Sequence, residues 1–93
     1  MFKIKDNVDL KELEKFGYSQ KGLPMFNDYF KNLDKNIFLC INTKTRFTPN
    51  SSISAYKGQA KSWLDLGGNV FEETEVLEEY IQDIIQAGLV EKV

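Results

Sequence analysis

The sequence predicts an α+β domain in which a small, mainly antiparallel sheet of about four to five strands packs against two helices. Three features favour this class. The run Ile37–Ile41 has the composition of a buried strand, a capped helix begins after Asp9, and an amphipathic helix lies within 74–93. The 93 residues, 42% hydrophobic and 28% charged, are typical of a single globular domain spanning 1–93.

The N-terminal elements are a short strand and a short helix. Phe2 and Ile4 alternate with lysines, which is typical of a strand with one buried face. Asp9 has the residue type of a helix N-cap, and Glu12 follows at the spacing of a capping box. Gly17 can adopt the left-handed conformation that ends a helix. The apolar stripe between these signals consists of Leu10, Leu13 and Phe16.

A three-strand meander is predicted next. It runs from 25–33 through Ile37–Ile41 to 46–48, with turns at 34–36 and 42–45. The middle strand has apolar side chains on both faces, which indicates a central strand that is covered on both sides. One face carries Ile37, Leu39 and Ile41, and the other carries Phe38 and Cys40.

Residues 50–71 fit two structures. Four apolar residues of this segment would share a helical stripe, whereas 64–66 fits a strand. The stripe residues are Tyr56, Ala60, Trp63 and Leu64. Gly58 counts against a helix interior, so we favour an extended segment that ends at Leu66, followed by a turn at 67–69.

The last helix has the clearest apolar face. Its apolar residues recur at the 3.6-residue period of a helix, and polar residues lie opposite them. The stripe, which should lie in the core, comprises Val76, Leu77, Tyr80, Ile81, Ile84 and Ile85. Gly88 is placed to end this helix, and Leu89 to fold back onto its last turn. Residues 89–93 then predict an edge strand beside 2–5.

The middle of the chain is basic. Residues 31–62 hold six basic side chains against one acidic, a net charge of +5, with aromatic residues among them. This combination is typical of a surface that binds single-stranded nucleic acid. The candidate residues are Lys44, Arg46, Lys57 and Lys61. We favour the alternative that the aromatics face the core and the lysines protect the sheet edges, because the whole chain is acidic.

The C-terminal third is acidic. Residues 63–93 hold eight acidic side chains against one basic, a net charge of −7. Glu78, Glu79 and Asp83 lie on the polar face of the last helix and are the candidate residues for binding a basic protein partner. The alternative is a solvated helix face whose first carboxylates stabilise the positive end of the helix dipole.

The motifs of common catalytic sites are absent from the sequence. The chain has no histidine, the commonest general base and zinc ligand, and no phosphate-binding glycine loop. Cys40 lies in the most apolar run, where a thiol usually packs without reacting. We therefore predict no catalytic, metal or cofactor residue. Carboxylates alone could still support an enzyme, and those outside the predicted helices are Asp28, Asp65, Glu72 and Glu73.

Three segments resemble a known group of proteins. Residues 6–18 (DNVDLKELEKFGY), 41–46 (INTKTR) and 81–93 (IQDIIQAGLVEKV) are similar to segments of small uncharacterised proteins of low-GC Gram-positive bacteria and their phages. The resemblance implies an accessory protein of a mobile element. It implies no reaction and no functional residue.

These features favour a non-enzymatic cytoplasmic accessory protein that binds another protein. A module that binds single-stranded nucleic acid through 31–62 is the second hypothesis, and a carboxylate-dependent enzyme is the third. We expect a cytoplasmic location because the chain has one cysteine and begins without the apolar region of a secretion signal. No membrane span is expected, because the longest apolar run, Ile37–Ile41, is too short.

Overall fold

The computed structural model of the protein describes residues 1–20, 28–34, 36–43, 50–58 and 72–93. It confirms the α+β class, with a five-stranded antiparallel sheet of order β2-β3-β4-β5-β6 and a two-stranded ribbon of β1 and β7. The strands are β1 (Phe2–Ile4), β2 (Ser19–Gln20), β3 (Tyr29–Asn32), β4 (Ile37–Ile41), β5 (Ile53–Lys57), β6 (Glu73–Thr74) and β7 (Val90–Lys92). There are two helical regions among the described residues. The first is a 3₁₀ helix (Leu10–Phe16), and the second consists of a second 3₁₀ helix (Glu78–Ile81) followed directly by the α-helix α1 (Gln82–Gln86).

Strand β4 is the centre of the sheet, as its two apolar faces predict. It pairs antiparallel with β3 along one edge and with β5 along the other. Leu39 and Ile41 are fully buried in the main core, which also contains residues of both helical regions. The opposite face of the sheet carries a second apolar cluster of Phe30, Phe38, Cys40 and the partly buried Tyr56.

Strand β5 is the neighbour of β4 that the sequence does not predict as a regular strand. It confirms the extended interpretation for the first part of 50–71, and it shows the helical stripe to be wrong at Tyr56. The local signal is weak because the core-facing positions are Ile53 and Ala55, and alanine has little preference for strands.

Several predicted features lie wholly or partly outside the described residues. They are the strand at 46–48, the end of the turn at 42–45, the start of the strand at 25–33, the extended segment up to Leu66 and the turn at 67–69.

The ribbon confirms the edge strand predicted within 89–93. Ile4 lies opposite Val90 in an antiparallel register. The Ile4 amide donates to the Ser51 carbonyl oxygen at 2.9 Å, which attaches the ribbon to the chain just before β5. The two sheets therefore meet at the start of β5.

The first helical region is a 3₁₀ helix, whereas its apolar stripe predicts an ordinary α-helical turn. The Asp9 carboxylate accepts a hydrogen bond from the Lys11 amide at 3.0 Å, so the predicted N-cap is confirmed. Gly17 ends the helix with a φ of 88°, also as predicted. The helix has seven residues, which is longer than most 3₁₀ runs. Its apolar residues Leu10, Leu13 and Phe16 recur at every third position, which is the period of a 3₁₀ helix.

The last helix begins later than its apolar stripe. Glu73 and Thr74 pair with β5, and the chain is still extended at Leu77, with φ −85° and ψ 142°. The prediction that Val76 and Leu77 belong to the helix is therefore wrong. The second 3₁₀ helix precedes α1. Its last residue, Ile81, has φ −124° and ψ 20°, which breaks the regular helical geometry between the two helices.

The end of this helix and its buried face agree with the prediction. Ile81 and Ile84 are both fully buried. Gly88 adopts a φ of 77°, and the Leu89 amide then donates to the Ile84 carbonyl oxygen at 3.1 Å. This is the turn-back that a left-handed glycine permits at a helix C-terminus.

The main core joins the sheet, the ribbon and both helical regions. It comprises Ile4, Leu13, Tyr18, Tyr29, Leu39, Ile41, Ile53, Ala55, Ile81 and Ile84. No helix in the described part of the chain has the length and apolar character needed to cross a membrane.

Candidate functional site

The basic candidates lie only partly within the described residues. Lys44, Arg46 and Lys61 are outside them. Lys57, the last residue of β5, places its Nζ 2.9 Å from Oε1 of Glu72. This ion pair neutralises the one charge of the four that can be located, so the described residues gather no basic surface from this set.

The acidic candidates lie in three different environments. Glu78 Oε1 accepts from Lys92 Nζ at 3.3 Å. Asp83 Oδ2 accepts from Lys31 Nζ at 3.0 Å. Glu79 is exposed and forms no ion pair with any described residue. The three carboxylates therefore do not form one free acidic face.

Asp83 links α1 to the sheet. Its partner Lys31 lies in β3 and places its ammonium group 5.2 Å from the centroid of the Tyr18 ring. Tyr18 is buried, and its hydroxyl has no hydrogen-bond partner among the described residues. Burial raises the pKa of the Tyr18 phenol, and the nearby Asp83 carboxylate raises it further. These contacts give Asp83 a structural role.

Cys40 is packed in the interior. Its side chain is 8% exposed, and its Sγ lies 3.9 Å from Oδ1 of Asn42. Burial raises the pKa of the thiol to about 12, and the Asp28 carboxylate contributes to the rise. Because the thiolate is the reactive form, this thiol is a poor nucleophile in the folded protein.

Two of the carboxylates that could support an enzyme are already engaged by groups of the chain. Asp28 Oδ1 accepts from the Thr43 amide at 2.9 Å, Glu72 pairs with Lys57, and Asp65 lies outside the described residues. Within the described ranges, no three or more carboxylate, thiol or imidazole groups are placed to hold a metal ion.

A groove lies where the ribbon approaches β5, β6 and the segment that leads into the second 3₁₀ helix. Its cavity has a volume of about 530 Å³. We call it the terminal groove, because residues near both ends of the chain contribute to it. Its lining includes Met1, Phe2, Ile53, Glu75, Leu77 and Lys92.

The exposed apolar side chains of the described residues gather at this groove. Met1 and Leu77 line it and are 66% and 37% exposed. Val93, 64% exposed, lies beside them, because its amide donates to the Met1 carbonyl oxygen at 2.8 Å. Leu77 is exposed although it is not at a chain end. The helix begins only after Leu77, so this residue does not share the buried helical face of Ile81 and Ile84.

The terminal groove is also acidic. Glu73, Glu75 and Glu78 line it together with one cationic side chain, Lys92, so the described lining side chains carry a net charge of −2. Lys92 Nζ lies 3.3 Å from Glu78 Oε1 and 5.6 Å from the centroid of the Phe2 ring. Glu73 and Glu75 form no ion pair with the described residues.

No family model, curated protein or solved structure matches the chain. The chemistry of the terminal groove therefore carries the functional argument by itself.

Sequence reasoning finds only part of this groove. Glu78 is among the predicted acidic candidates, whereas Phe2 is predicted as a strand residue and Leu77 as part of the buried helical stripe. The sequence predicts no role for Met1. The available signal is the predicted pairing of 89–93 with 2–5, which already brings Lys92 next to Phe2. The sequence has no signal that places Leu77 beside this ribbon.

Proposed function

We propose that the protein acts by binding another protein, and that the partner docks at the terminal groove. The observation that supports this is the gathering of exposed apolar side chains at one groove. Apolar patches with a polar rim are typical of interaction sites. A cavity of about 530 Å³ is within the range of known ligand sites and can hold side chains of a partner.

Leu77 is the proposed anchor of this interface. It lies between Glu75 and Glu78, so an apolar contact is flanked by charges that can set orientation. Of the acidic candidates, Glu78 lines this groove, whereas Glu79 is exposed and is not among the lining residues. Asp83 is not among the lining residues either, and its carboxylate forms an ion pair with Lys31 of the sheet.

The proposed role is that of a non-enzymatic accessory protein in the cytoplasm. A non-enzymatic role is supported by the absence of histidine from the chain and by the contacts that already engage the carboxylates of Asp28 and Glu72. A reducing compartment is supported by Cys40, a buried free thiol. An origin in a mobile element is part of the proposal and depends on the resemblance of three sequence segments alone.

Binding of single-stranded nucleic acid has less support. The two lysines of the basic segment that the structure describes, Lys31 and Lys57, are both ion-paired. The terminal groove carries the same sign of charge as a phosphate backbone, so it would repel nucleic acid.

Partner capture tests the proposal. The immobilised protein and its Leu77→Asp variant are incubated with extract of the cell in which the gene is expressed, and the retained proteins are quantified by mass spectrometry. Leu77→Asp should lose the partner, because it places a charge in the apolar part of the groove. Ser19→Asp is the matched control, since Ser19 is exposed in β2, at the other edge of the sheet from β6.

Two results would count against the proposal. One is a partner that Leu77→Asp and the parent retain equally. The other is equal loss of the partner in Ser19→Asp, which would show a general effect of added negative charge. Circular dichroism of each variant verifies that the protein is folded in every comparison.

A further inference from the structure

The terminal groove already holds one cation, and the way it does so indicates what else it can hold. Lys92 places its ammonium group between a carboxylate, Glu78 at 3.3 Å, and an aromatic ring, Phe2 at 5.6 Å from the centroid. A carboxylate and an aromatic face are the two groups that bind an alkylammonium ion in proteins. Both side chains of the ion pair are more than half exposed, so solvent and a partner can reach them.

Further negative charge in the groove is not neutralised. Glu73 and Glu75 line the same cavity and have no cationic partner in the described part of the chain. Carboxylates in a groove with apolar walls raise the local concentration of cations more strongly than isolated surface charges do. The groove therefore has room for positive charge beyond that of Lys92.

Apolar surface lies next to these carboxylates. Leu77 and Met1 are exposed in the groove, and Phe2 and Val76 lie beneath them, partly buried against the main core. An occupant that covers this surface must bring an apolar side chain. An occupant that contacts Glu73 and Glu75 must also carry positive charge close to that apolar side chain.

We infer that the occupant of the terminal groove is a segment of a partner protein that presents an apolar side chain flanked by lysine or arginine. This inference rests on the proposed function and names the chemistry of its partner. Lys92 holds the cation position until a partner lysine or arginine replaces it at Glu78 and Phe2. Charge complementarity selects this occupant, because the lining side chains of the groove carry net negative charge beside exposed apolar surface.

A second copy of the chain suits the groove less well. Among the described lysines, five are already ion-paired within the chain. Those five are Lys3, Lys15, Lys31, Lys57 and Lys92. From the described residues, a second copy could supply only Lys5 or Lys11 without breaking such a pair.

Defined peptides test the inference. Three end-blocked peptides share one leucine–phenylalanine core and carry lysine, serine or glutamate on both sides of it. A fourth has the lysines without the apolar core. Affinity is measured by fluorescence anisotropy at low and at physiological salt. The lysine-flanked peptide should bind about tenfold more tightly than the serine-flanked one at low salt, from two exposed charge contacts, and the difference should shrink as salt screens them. The glutamate-flanked and core-free peptides should bind most weakly.

Variants then locate the binding. Leu77→Asp should abolish binding of the lysine-flanked peptide, and Ser19→Asp should not. Glu75→Gln should weaken it about two- to fivefold, which is the range expected for an exposed charge pair. Glu14→Gln is the matched control, because Glu14 is exposed in the first 3₁₀ helix, outside the groove.

Lys92→Gln gives the sharpest comparison. Removal of the resident cation frees Glu78 and Phe2, so the lysine-flanked peptide should bind about two- to fivefold more tightly. Lys11→Gln makes the same change in net charge at an exposed position outside the groove, and it should have a smaller effect. Equal effects of the two variants would overturn the role assigned to Lys92.

The remaining outcomes separate the inference from the proposed function. If the peptides bind alike or not at all, while capture of the partner depends on Leu77, the partner has another chemistry and the inference is wrong. If capture does not depend on Leu77, the proposed function is wrong. A dimer in sedimentation that Leu77→Asp dissociates would identify a second copy as the occupant. Oligonucleotide binding that Leu77→Asp abolishes would identify nucleic acid.

Discussion

Replacement of Gly88 by alanine tests the structural basis of the last turn. Gly88 has a φ of 77°, a conformation that costs an L-residue with a β-carbon about 1–2 kcal/mol. A β-carbon built there has no neighbouring atom within 4 Å, so a steric clash adds nothing to this cost. Alanine also reduces the entropy of the unfolded chain, which favours folding by about 0.4–1 kcal/mol. The difference predicts a loss of about 1 kcal/mol for Gly88→Ala.

Equilibrium urea unfolding, followed by circular dichroism, measures this loss. A change of about 1 kcal/mol should lower the melting temperature by about 4–8 °C in a domain of this size. Gly88→Asn is the control, because asparagine adopts the left-handed conformation more readily than alanine does. The Gly88→Asn protein should therefore be destabilised less than the Gly88→Ala protein. A Gly88→Ala protein that is more stable than the parent would show that the helix continues past Gly88 and that β7 does not form.

Two further predictions concern the core. Ile84→Ala truncates a fully buried side chain and should lower the free energy of unfolding by about 2–5 kcal/mol. The total expected for this chain length is about 5–14 kcal/mol. A denaturation midpoint equal to that of the parent would refute the burial of Ile84. Burial raises the pKa of the Cys40 thiol from its ordinary 9.0 to about 12. The unfolded chain therefore loses this proton at a lower pH than the folded protein does. As a result, the free energy of unfolding should fall as pH rises from about 9 to about 12. Cys40→Val should show a smaller fall in urea unfolding across that range, and equal slopes would contradict the assigned burial.

The parts of the fold that the sequence predicts are those with a strong local signal. Asp9 and Gly17 determine the ends of the first helical region, and Gly88 determines the end of the last. The alternating faces of β4 are also visible, because five apolar residues in succession suit a strand that is buried on both sides. Each of these signals depends only on residues close in sequence.

The parts that sequence reasoning misses depend on pairing between distant segments. Thr74 pairs with Ala55, and this contact keeps the chain extended at Leu77 although the helical stripe begins before it. The candidate charges show the same limit. Lys57 forms an ion pair with Glu72, and Asp83 of α1 forms one with Lys31 of β3. Neither charge is therefore free to bind a partner in the way that the sequence alone suggests. The terminal groove exists only after such pairing has occurred.

The ribbon has a consequence for the order in which the protein can fold during synthesis. Of the described strands, β1 leaves the ribosome before the others, whereas its partner β7 (Val90–Lys92) is the last of them to be synthesised. Closing so long a loop is slow compared with forming the local hairpin of β3 and β4. Until β7 emerges, Ile4 lacks its strand partner, and its apolar side chain is open to nascent-chain aggregation. We expect the lysines on both sides of Ile4 to protect it during this interval, as charged residues beside an exposed strand do.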